Sequence, residues 1–231
     1  MGTDRSELPE GDEKVRVVRA MFDDIAPRYD LVNRIITLRL DTRWRRLAVR
    51  DLGLSPRSLV ADLACGTGDF CLDLEAADLR PIGYDLSFGM LNAARTKAPL
   101  VHGDILRLPV PDAALDGVTC GFALRNLVEL GEFYRELGRV LRSGGRIALL
   151  DVAEPTNPIL RWGHGLYFGK IVPRLGGLLS DRSAYEYLPK SVAYLPEPEQ
   201  MVNALGDAGF DDVERRLLRP GAAQLFTATK R

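Results

Sequence analysis

Acidic side chains stand at three successive predicted strands in the first half of the chain. Asp62 lies at the end of the first strand, Asp85 closes the second, and Asp104 follows the third. A carboxylate after the second strand can accept hydrogen bonds from both hydroxyls of a ribose, with Leu86 beside it. Asp104 can take an adenine amine while Ile105 packs against the ring. Each acid alone also fits a helix cap or a loop, but together they indicate an adenosine-containing ligand.

A glycine turn, Gly66-Thr67-Gly68, separates the first strand from the helix that follows. Glycine permits positive φ angles and a close approach of the backbone to a ligand, so we expect these three residues to contact it. A dinucleotide fingerprint starting at Gly66 needs glycine where Cys71 stands, and the Gly-Lys-Ser/Thr of a P-loop is absent. The turn therefore argues against the common phosphate-binding loops.

The charges around this turn favour a cationic ligand. Asp62 precedes the turn and Asp69 begins the next helix. A pyrophosphate about 4–6 Å from these carboxylates would cost roughly 3–4 kcal/mol for each pair of unit charges at an effective dielectric near 20. S-adenosyl-L-methionine carries an ammonium and a sulfonium but no phosphate. The turn is therefore predicted to hold this cofactor rather than NAD.

The order of apolar segments predicts the elements that position these residues. Short apolar runs alternate with helical segments, which indicates a parallel sheet with right-handed crossovers. Ligands of such sheets bind beyond the carboxyl ends of the strands, where the acids stand. The predicted strands of this region are 59–65, 81–86, 100–103, 117–123 and 146–152. The predicted helices are 69–79, 87–97 and 127–141, the last ended by 143–145.

Both ends of the chain depart from this alternation. Helices from residue 13 and over 29–52 form an N-terminal cap, and a segment rich in proline, glycine and aromatic residues follows the fifth strand as a lid-like insertion. The sequence predicts an α/β, Rossmann-like fold: a seven-stranded, mostly parallel sheet with helices on both faces and a C-terminal antiparallel hairpin. The predicted organisation is a flexible tail (1–12) and one domain (13–231), which includes the cap (13–56) and the insertion (154–195). After the insertion, the sequence predicts a helix (197–208) and two final strands (212–218 and 223–229).

Composition and charge exclude several classes of protein. A chain of 231 residues with 46% hydrophobic and 27% charged residues suits one globular domain. The net charge of −1 gives no sign of a nucleic-acid partner. Three cysteines without a CxxC pair, and only two histidines, argue against a disulfide framework or a metal centre. The acidic N-terminus lacks a signal-peptide pattern and no apolar run is long enough to span a bilayer, so we expect a cytoplasmic protein.

The segments DLACGTGD, GYD, HGDILRLPVPD and LRSGGRIALLD resemble, in this order, those of class I S-adenosylmethionine-dependent methyltransferases. FDDIAPRYDLVNRI, FALRNLVEL and VPRLGGLLSDRSAYEYLPKSV are more narrowly similar to the ubiquinone/menaquinone biosynthesis C-methyltransferases, and the likeness extends over about 14–231. It implies C-methylation of a prenylated hydroquinone. The cofactor contacts that it implies are Thr67, Asp85, Asp104, Ile105 and Gly121. A serine is often found at the last of these positions, which puts a side-chain hydrogen bond there in doubt.

The implied reaction needs a ring carbon made nucleophilic by loss of a phenolic proton. Arg125 and Asn126 follow the fourth strand and are candidates for stabilising the phenolate and orienting the ring. An ion pair of Arg125 with Asp151 or Glu154 is the alternative reading of that arginine.

Two further residues are candidates for the catalytic site. Tyr29 begins the segment that covers the cofactor in this fold, and either contacts the methionine moiety or packs in the core. His164 is the only histidine of the insertion and a candidate general base, with a packing or surface position as the alternative.

A prenyl tail on the acceptor explains the amphipathic segment 159–172. Its aromatic and basic residues suit the interface of a bilayer, and an ordinary lid is the equal alternative. We therefore expect transient contact with a membrane surface at the inner face of the plasma membrane, and leave a homodimer open. Demethylmenaquinol is the favoured acceptor. The alternatives are a ubiquinone-pathway methoxybenzoquinol, another small phenol or sterol, and a non-catalytic scaffold of a quinone-biosynthesis complex.

Overall fold

The computed structural model describes residues 10–167, 169, 172, 187 and 191–231. A seven-stranded sheet lies at its centre. The strands are β1 (Leu59–Leu63), β2 (Arg80–Asp85), β3 (Leu100–His102), β4 (Leu115–Gly121), β5 (Leu141–Val152), β6 (Phe210–Leu218) and β7 (Ala223–Lys230). The α-helices whose two ends lie within the described residues are α1 (Gly11–Ile25), α2 (Tyr29–Ile36), α3 (Leu40–Leu52), α4 (Asp69–Ala76), α5 (Phe88–Asn92), α6 (Leu130–Val140), α7 (Pro158–Leu166) and α8 (Pro198–Asp207).

The strand order confirms the predicted fold class. It runs β3-β2-β1-β4-β5-β7-β6, and the pairs from β3 to β5 are parallel. β7 pairs antiparallel with both β5 and β6, as the predicted C-terminal hairpin requires. The order of the strands reverses between β1 and β4, which is the position where sheets of this kind bind ligands.

Alternating side chains of β5 show how the sheet is covered on both faces. Ile147 and Leu149 pack in the cluster that includes residues of α6 and α8. Ala148 and Leu150 pack in the cluster that includes residues of α3 and α4. Successive residues of a strand point to opposite faces, so one buried strand joins the two halves of the core.

The prediction of one continuous helix over 29–52 was wrong. α2 ends at Ile36 and α3 starts at Leu40, because Leu38 and Arg39 adopt left-handed backbone conformations with φ of 52° and 62°. No glycine or proline stands there to signal the break. Tertiary contacts fix the direction of α3 instead: the buried guanidinium of Arg45 pairs with the α4 residues Asp69 and Asp73 at 3.0 and 2.9 Å.

Two other predicted boundaries were wrong. α5 ends at Asn92 and not near residue 97, because the following segment bonds elsewhere: the Arg95 amide donates to the Thr67 carbonyl at 3.1 Å. β5 begins at Leu141, so the predicted stop at 143–145 lies inside a strand with an irregular register. Gly144, with φ of 75°, accommodates that irregularity without ending the element.

The N-terminal tail and the insertion are only partly described. α1 begins at Gly11, so the last two residues of the predicted tail belong to this helix. The start of the insertion forms α7, and most of residues 168–190 lie outside the described part of the chain. Within the described part, no helix is long and apolar enough to cross a bilayer.

Candidate active site

A cavity opens at the carboxyl ends of the strands beside the reversal of strand order. About 970 Å³ of space outside protein atoms lies within it, a figure that includes open solvent at its mouth. Eight of the residues predicted from the sequence line it: Tyr29, Gly66, Asp85, Leu86, Asp104, Ile105, Gly121 and Asn126. The fold thus brings most of the candidates together, and their roles in binding stay predictions.

Asp85 joins the loops that follow β1 and β2. Its carboxylate accepts hydrogen bonds from the amides of Gly66 and Ser87 at 2.7 and 2.8 Å. Burial raises the pKa of Asp85, and these backbone hydrogen bonds oppose that effect. Each carboxylate oxygen keeps a second lone pair, so Asp85 has the capacity for two further donors from a ligand.

Asp104 and Ile105 form a polar and an apolar wall next to each other. Asp104 accepts a hydrogen bond from the Leu106 amide at 2.9 Å, which holds the turn after β3. Ile105 is buried, and Leu106 and Leu127 also line the cavity. An aromatic ring with an exocyclic amine suits this arrangement.

Of the glycine turn, only Gly66 lines the cavity. A Cβ built on Gly66 would meet no atom within 4 Å, so open space lies beside its backbone. Thr67 is buried and donates a hydrogen bond to Asp30 at 2.5 Å. Gly68 precedes α4 with φ of 84°, and a Cβ there would come within 2.6 Å of Thr96. Thr67 and Gly68 thus make internal contacts and do not line the cavity, and their contacts with a cofactor stay predictions.

Gly121 lines the cavity. A Cβ at this position would lie 2.9 Å from the ring of Phe70. Phe70 thus fills the space that a side chain would need, and no side-chain hydrogen bond comes from position 121.

The two acids that were predicted to repel a pyrophosphate do not line the cavity. Asp62 is 1% exposed and accepts hydrogen bonds from Thr119 at 2.9 Å and from Cys71 at 3.5 Å. Burial raises its pKa to about 7. Asp69 pairs with the arginines at 34 and 45, at 3.4 and 3.0 Å. The negative charge of the cavity comes from Asp85 and Asp104 instead.

α1 belongs to the predicted N-terminal cap and covers the cavity, but none of its residues was predicted to line it. Val15, Val18, Arg19 and Phe22 line it from this side. The apolar spacing of the helix was visible, but the same spacing serves ordinary core packing, and only the fold shows what it faces. Near its C-terminus Asp23 accepts hydrogen bonds from the Ser87 hydroxyl and the Gly89 amide at 2.6 and 2.8 Å, next to the Asp85 loop.

Lys14 fixes the other end of α1. Lys14 is 3% exposed, and its ammonium donates to the Leu127 carbonyl at 2.9 Å and lies 3.6 Å from the ring centroid of Tyr194. Burial lowers the pKa of Lys14 to about 8. Because Leu127 lines the cavity, this lysine couples α1 to the segment after β4.

The prediction that Arg125 stabilises a phenolate is not supported by its position. Its guanidinium donates to Asp151 at 2.5 Å, to the Phe122 carbonyl at 2.7 Å and to Ser191 at 3.2 Å. Arg125 is buried and absent from the described cavity lining. The alternative reading, a structural pair with Asp151, is the one observed.

Asn126 and Tyr29 are the predicted catalytic residues that reach the cavity. Asn126 accepts a hydrogen bond from the Tyr187 hydroxyl at 3.3 Å. Tyr29 meets Phe22 edge to face, with ring centroids 6.0 Å apart. His164 lies in α7, and its side chain is outside the described part of the structure.

The chain matches the model of the ubiE/COQ5 methyltransferase family over residues 10–230. It is 41% identical to a demethylmenaquinone methyltransferase of Roseiflexus sp. (strain RS-1), covering 97% of this chain and 98% of that one. It is 36% identical to the ubiquinone/menaquinone biosynthesis C-methyltransferase UbiE of Geobacter sp. (strain M21), covering 94% and 98%.

A solved structure shares the fold at much lower identity. Phosphoethanolamine N-methyltransferase 2 of Haemonchus contortus, in complex with S-adenosyl-L-methionine, superposes with a TM-score of 0.61 at 16% identity. The match covers 80% of this chain and 52% of that one, so this chain spans about half the length of that enzyme. At this identity the similarity concerns the fold alone.

Proposed function

The chain belongs to the ubiE/COQ5 methyltransferase family, and we propose that it transfers a methyl group from S-adenosylmethionine to a ring carbon of demethylmenaquinol. The observation that carries the proposal is one cavity with Asp85 and Asp104 on adjoining strand ends, in a chain whose relatives named for quinone methylation align almost end to end. Methyl transfer in quinone biosynthesis follows from the family and these relatives. The acceptor is our proposal.

The residues that line the cavity are chemically complementary to the parts of S-adenosylmethionine. Asp85 retains acceptor capacity for a ribose diol, Asp104 and Ile105 suit an adenine ring, and the backbone at Gly66 is open to approach. Two carboxylates with no phosphate-binding loop favour a sulfonium over a pyrophosphate. When bound, this cofactor supplies an electrophilic methyl group.

The described residues position the reactants and exclude water. α1 and Tyr29 cover the cavity, and such closure strengthens the electrostatic interactions inside it. Asn126, held by Tyr187, presents a polar group that can orient a phenolic oxygen of the acceptor. The described lining includes no histidine, so His164 of α7 remains our candidate for taking the phenolic proton.

A methyl-transfer assay with labelled S-adenosylmethionine tests the proposal. We expect purified protein to convert demethylmenaquinol to a product with the label on a ring carbon, as located by mass spectrometry. Asp85→Ala is the matched control and should abolish both cofactor binding and transfer. Label on oxygen, or transfer to a ubiquinone-pathway quinol alone, would contradict the proposed acceptor.

The prenyl tail of this acceptor would lie in a bilayer, so we propose that the enzyme meets a membrane surface transiently through α7. Trp162 and Ile159 support this because they are 73% and 79% exposed. Flotation with anionic liposomes provides the test. Equal flotation of wild type and Trp162→Ala would remove α7 from the proposal.

A further inference from the structure

The turn between α2 and α3 presents an apolar surface to solvent. Leu38 at its tip is 72% exposed, and Leu31 and Ile35 of α2 are 57% and 37% exposed. Leu31 and Ile35 lie four residues apart on one face of α2, and Leu38 follows in the turn after that helix. These three residues are here called the apolar stripe. Isolated exposed leucines are ordinary, but a contiguous apolar stripe ending in a turn marks an interaction site.

The backbone of this turn is strained in the conformation that exposes Leu38. Leu38 and Arg39 both have positive φ angles, which non-glycine residues adopt rarely and at a cost. Strain of this kind clusters at functional sites when the surrounding structure maintains it. Here the Thr37 hydroxyl donates to Asp41 at 2.5 Å and lies 2.8 Å from the Asn33 carbonyl oxygen, which holds the turn between the two helices.

A groove lined by basic residues adjoins the stripe. Arg39 and Arg43 line it together with Thr42 and two more arginines of α3. Within the described residues, Arg46 and Arg50 pair with Asp73 and Asp51, whereas no acid lies at ion-pair distance from Arg39 or Arg43. An apolar stripe beside two such cations is complementary to the acyl chains and phosphates of anionic lipids.

We propose that the α2–α3 turn is a docking surface for an anionic lipid bilayer, with Leu38 inserted and Arg39 and Arg43 on headgroup phosphates. The inference rests on the proposed function, in which the acceptor carries a prenyl tail. The turn also adjoins α7: the hydroxyl of Tyr167, the residue after that helix, donates to the Ile36 carbonyl at 3.0 Å. Docking therefore places both segments at the same membrane surface.

Vesicle co-sedimentation tests the surface with phosphatidylcholine vesicles that contain or lack phosphatidylglycerol. Leu38→Asn is the decisive variant, because asparagine tolerates positive φ and should not lower the melting temperature. We expect it to weaken binding to anionic vesicles about fivefold, and Arg39→Glu with Arg43→Glu about tenfold. Arg135→Glu changes an exposed arginine of α6, on the other face of the sheet, and should bind as wild type does.

Activity separates this inference from the proposed function. Methylation of a short-chain, water-soluble quinol should be unchanged in Leu38→Asn, while KM for a long-chain quinol in vesicles rises. If wild type fails on the soluble quinol, the proposed function is wrong. The docking surface is wrong if Leu38→Asn binds vesicles and methylates the long-chain quinol in them as wild type does. It is also wrong if analytical ultracentrifugation shows that wild type dimerises and that Leu38→Asn does not.

Discussion

The hydroxyl of Thr67, in the glycine turn, donates a hydrogen bond to the buried carboxylate of Asp30 in α2 at 2.5 Å. This contact ties the N-terminal cap to the loop that borders the cavity. Hydrogen bonds to charged groups contribute about 1.5–3 kcal/mol, and a buried acceptor without its donor costs a similar amount. This hydrogen bond therefore adds to the ion pairs Arg34–Asp69 and Arg95–Asp30 in holding α2 in place.

We expect Thr67→Val to raise the Kd for S-adenosylmethionine about tenfold, because the cap is no longer fixed to the turn. Thr67→Ser keeps the hydroxyl and should stay within about twofold of wild type. Isothermal titration calorimetry measures both. Equal affinities for the valine and serine variants would show that the contact has no part in cofactor binding.

Lys14 should make the free energy of unfolding depend on pH. Burial lowers its pKa from 10.5 to about 8 in the folded chain, so between these values the unfolded chain holds a proton that the folded chain has lost. Stability then rises with pH through this window. Lys14→Met removes that contribution, and relative to it wild type should gain about 2 kcal/mol between pH 8 and pH 10. Urea denaturation across this range measures the difference, and parallel curves would contradict a desolvated ammonium.

Lys14 should also affect the rate at which the cofactor dissociates, which measurements of folding stability do not report. Lys14→Met breaks the link between α1 and Leu127, and we expect S-adenosylmethionine to dissociate about five times faster. Lys14→Arg keeps a donor and a cation, and should recover most of the affinity. Stopped-flow displacement measures the rates. A loss of melting temperature that tracks the loss of affinity in both variants would indicate a merely structural role.

The buried carboxylate of Asp62 should lower the free energy of unfolding at neutral pH. Its pKa is raised to about 7, so between pH 4 and pH 7 the folded chain binds the extra proton and stability falls as the pH rises. Asp62→Asn removes the charge and can keep a hydrogen-bond acceptor for Thr119. We expect it to be more stable than wild type at pH 8 by about 2–4 kcal/mol, with little difference at pH 4. An unchanged or lower melting temperature at pH 8 would be the contrary result.

The sheet, and the ligand site at the carboxyl ends of its strands, could be predicted because both follow from local sequence patterns. Alternating apolar runs and helices define a parallel sheet, and Asp85 and Asp104 sit at strand ends whose position the topology fixes. Periodicity could not locate the break at Leu38, since left-handed residues other than glycine carry no compositional signal. The direction of α3 depends on contacts of Arg45 with residues far along the chain.

The sequence predicted that acidic residues border the site, but it did not predict which of them line the cavity. Asp62 and Asp69 border the turn in sequence, yet Asp62 is buried within β1 and Asp69 is paired with arginines from the cap. Sequence distance does not reveal which carboxylates find partners. Lys14 was missed for the same reason, because a lysine on a polar helix ordinarily extends into water.

Arg125 and Asp151 form a buried ion pair that should act as a unit in stability. Removing one partner leaves an uncompensated charge, so Arg125→Met and Asp151→Leu should each destabilise the fold by about 3–5 kcal/mol. The double variant leaves neither charge, and its loss should be well below the sum of the two. Urea denaturation of all four proteins closes this cycle. If Arg125→Met instead kept wild-type stability and lowered only kcat, the arginine would serve the phenolate after all, and the pair with Asp151 would have to open during turnover.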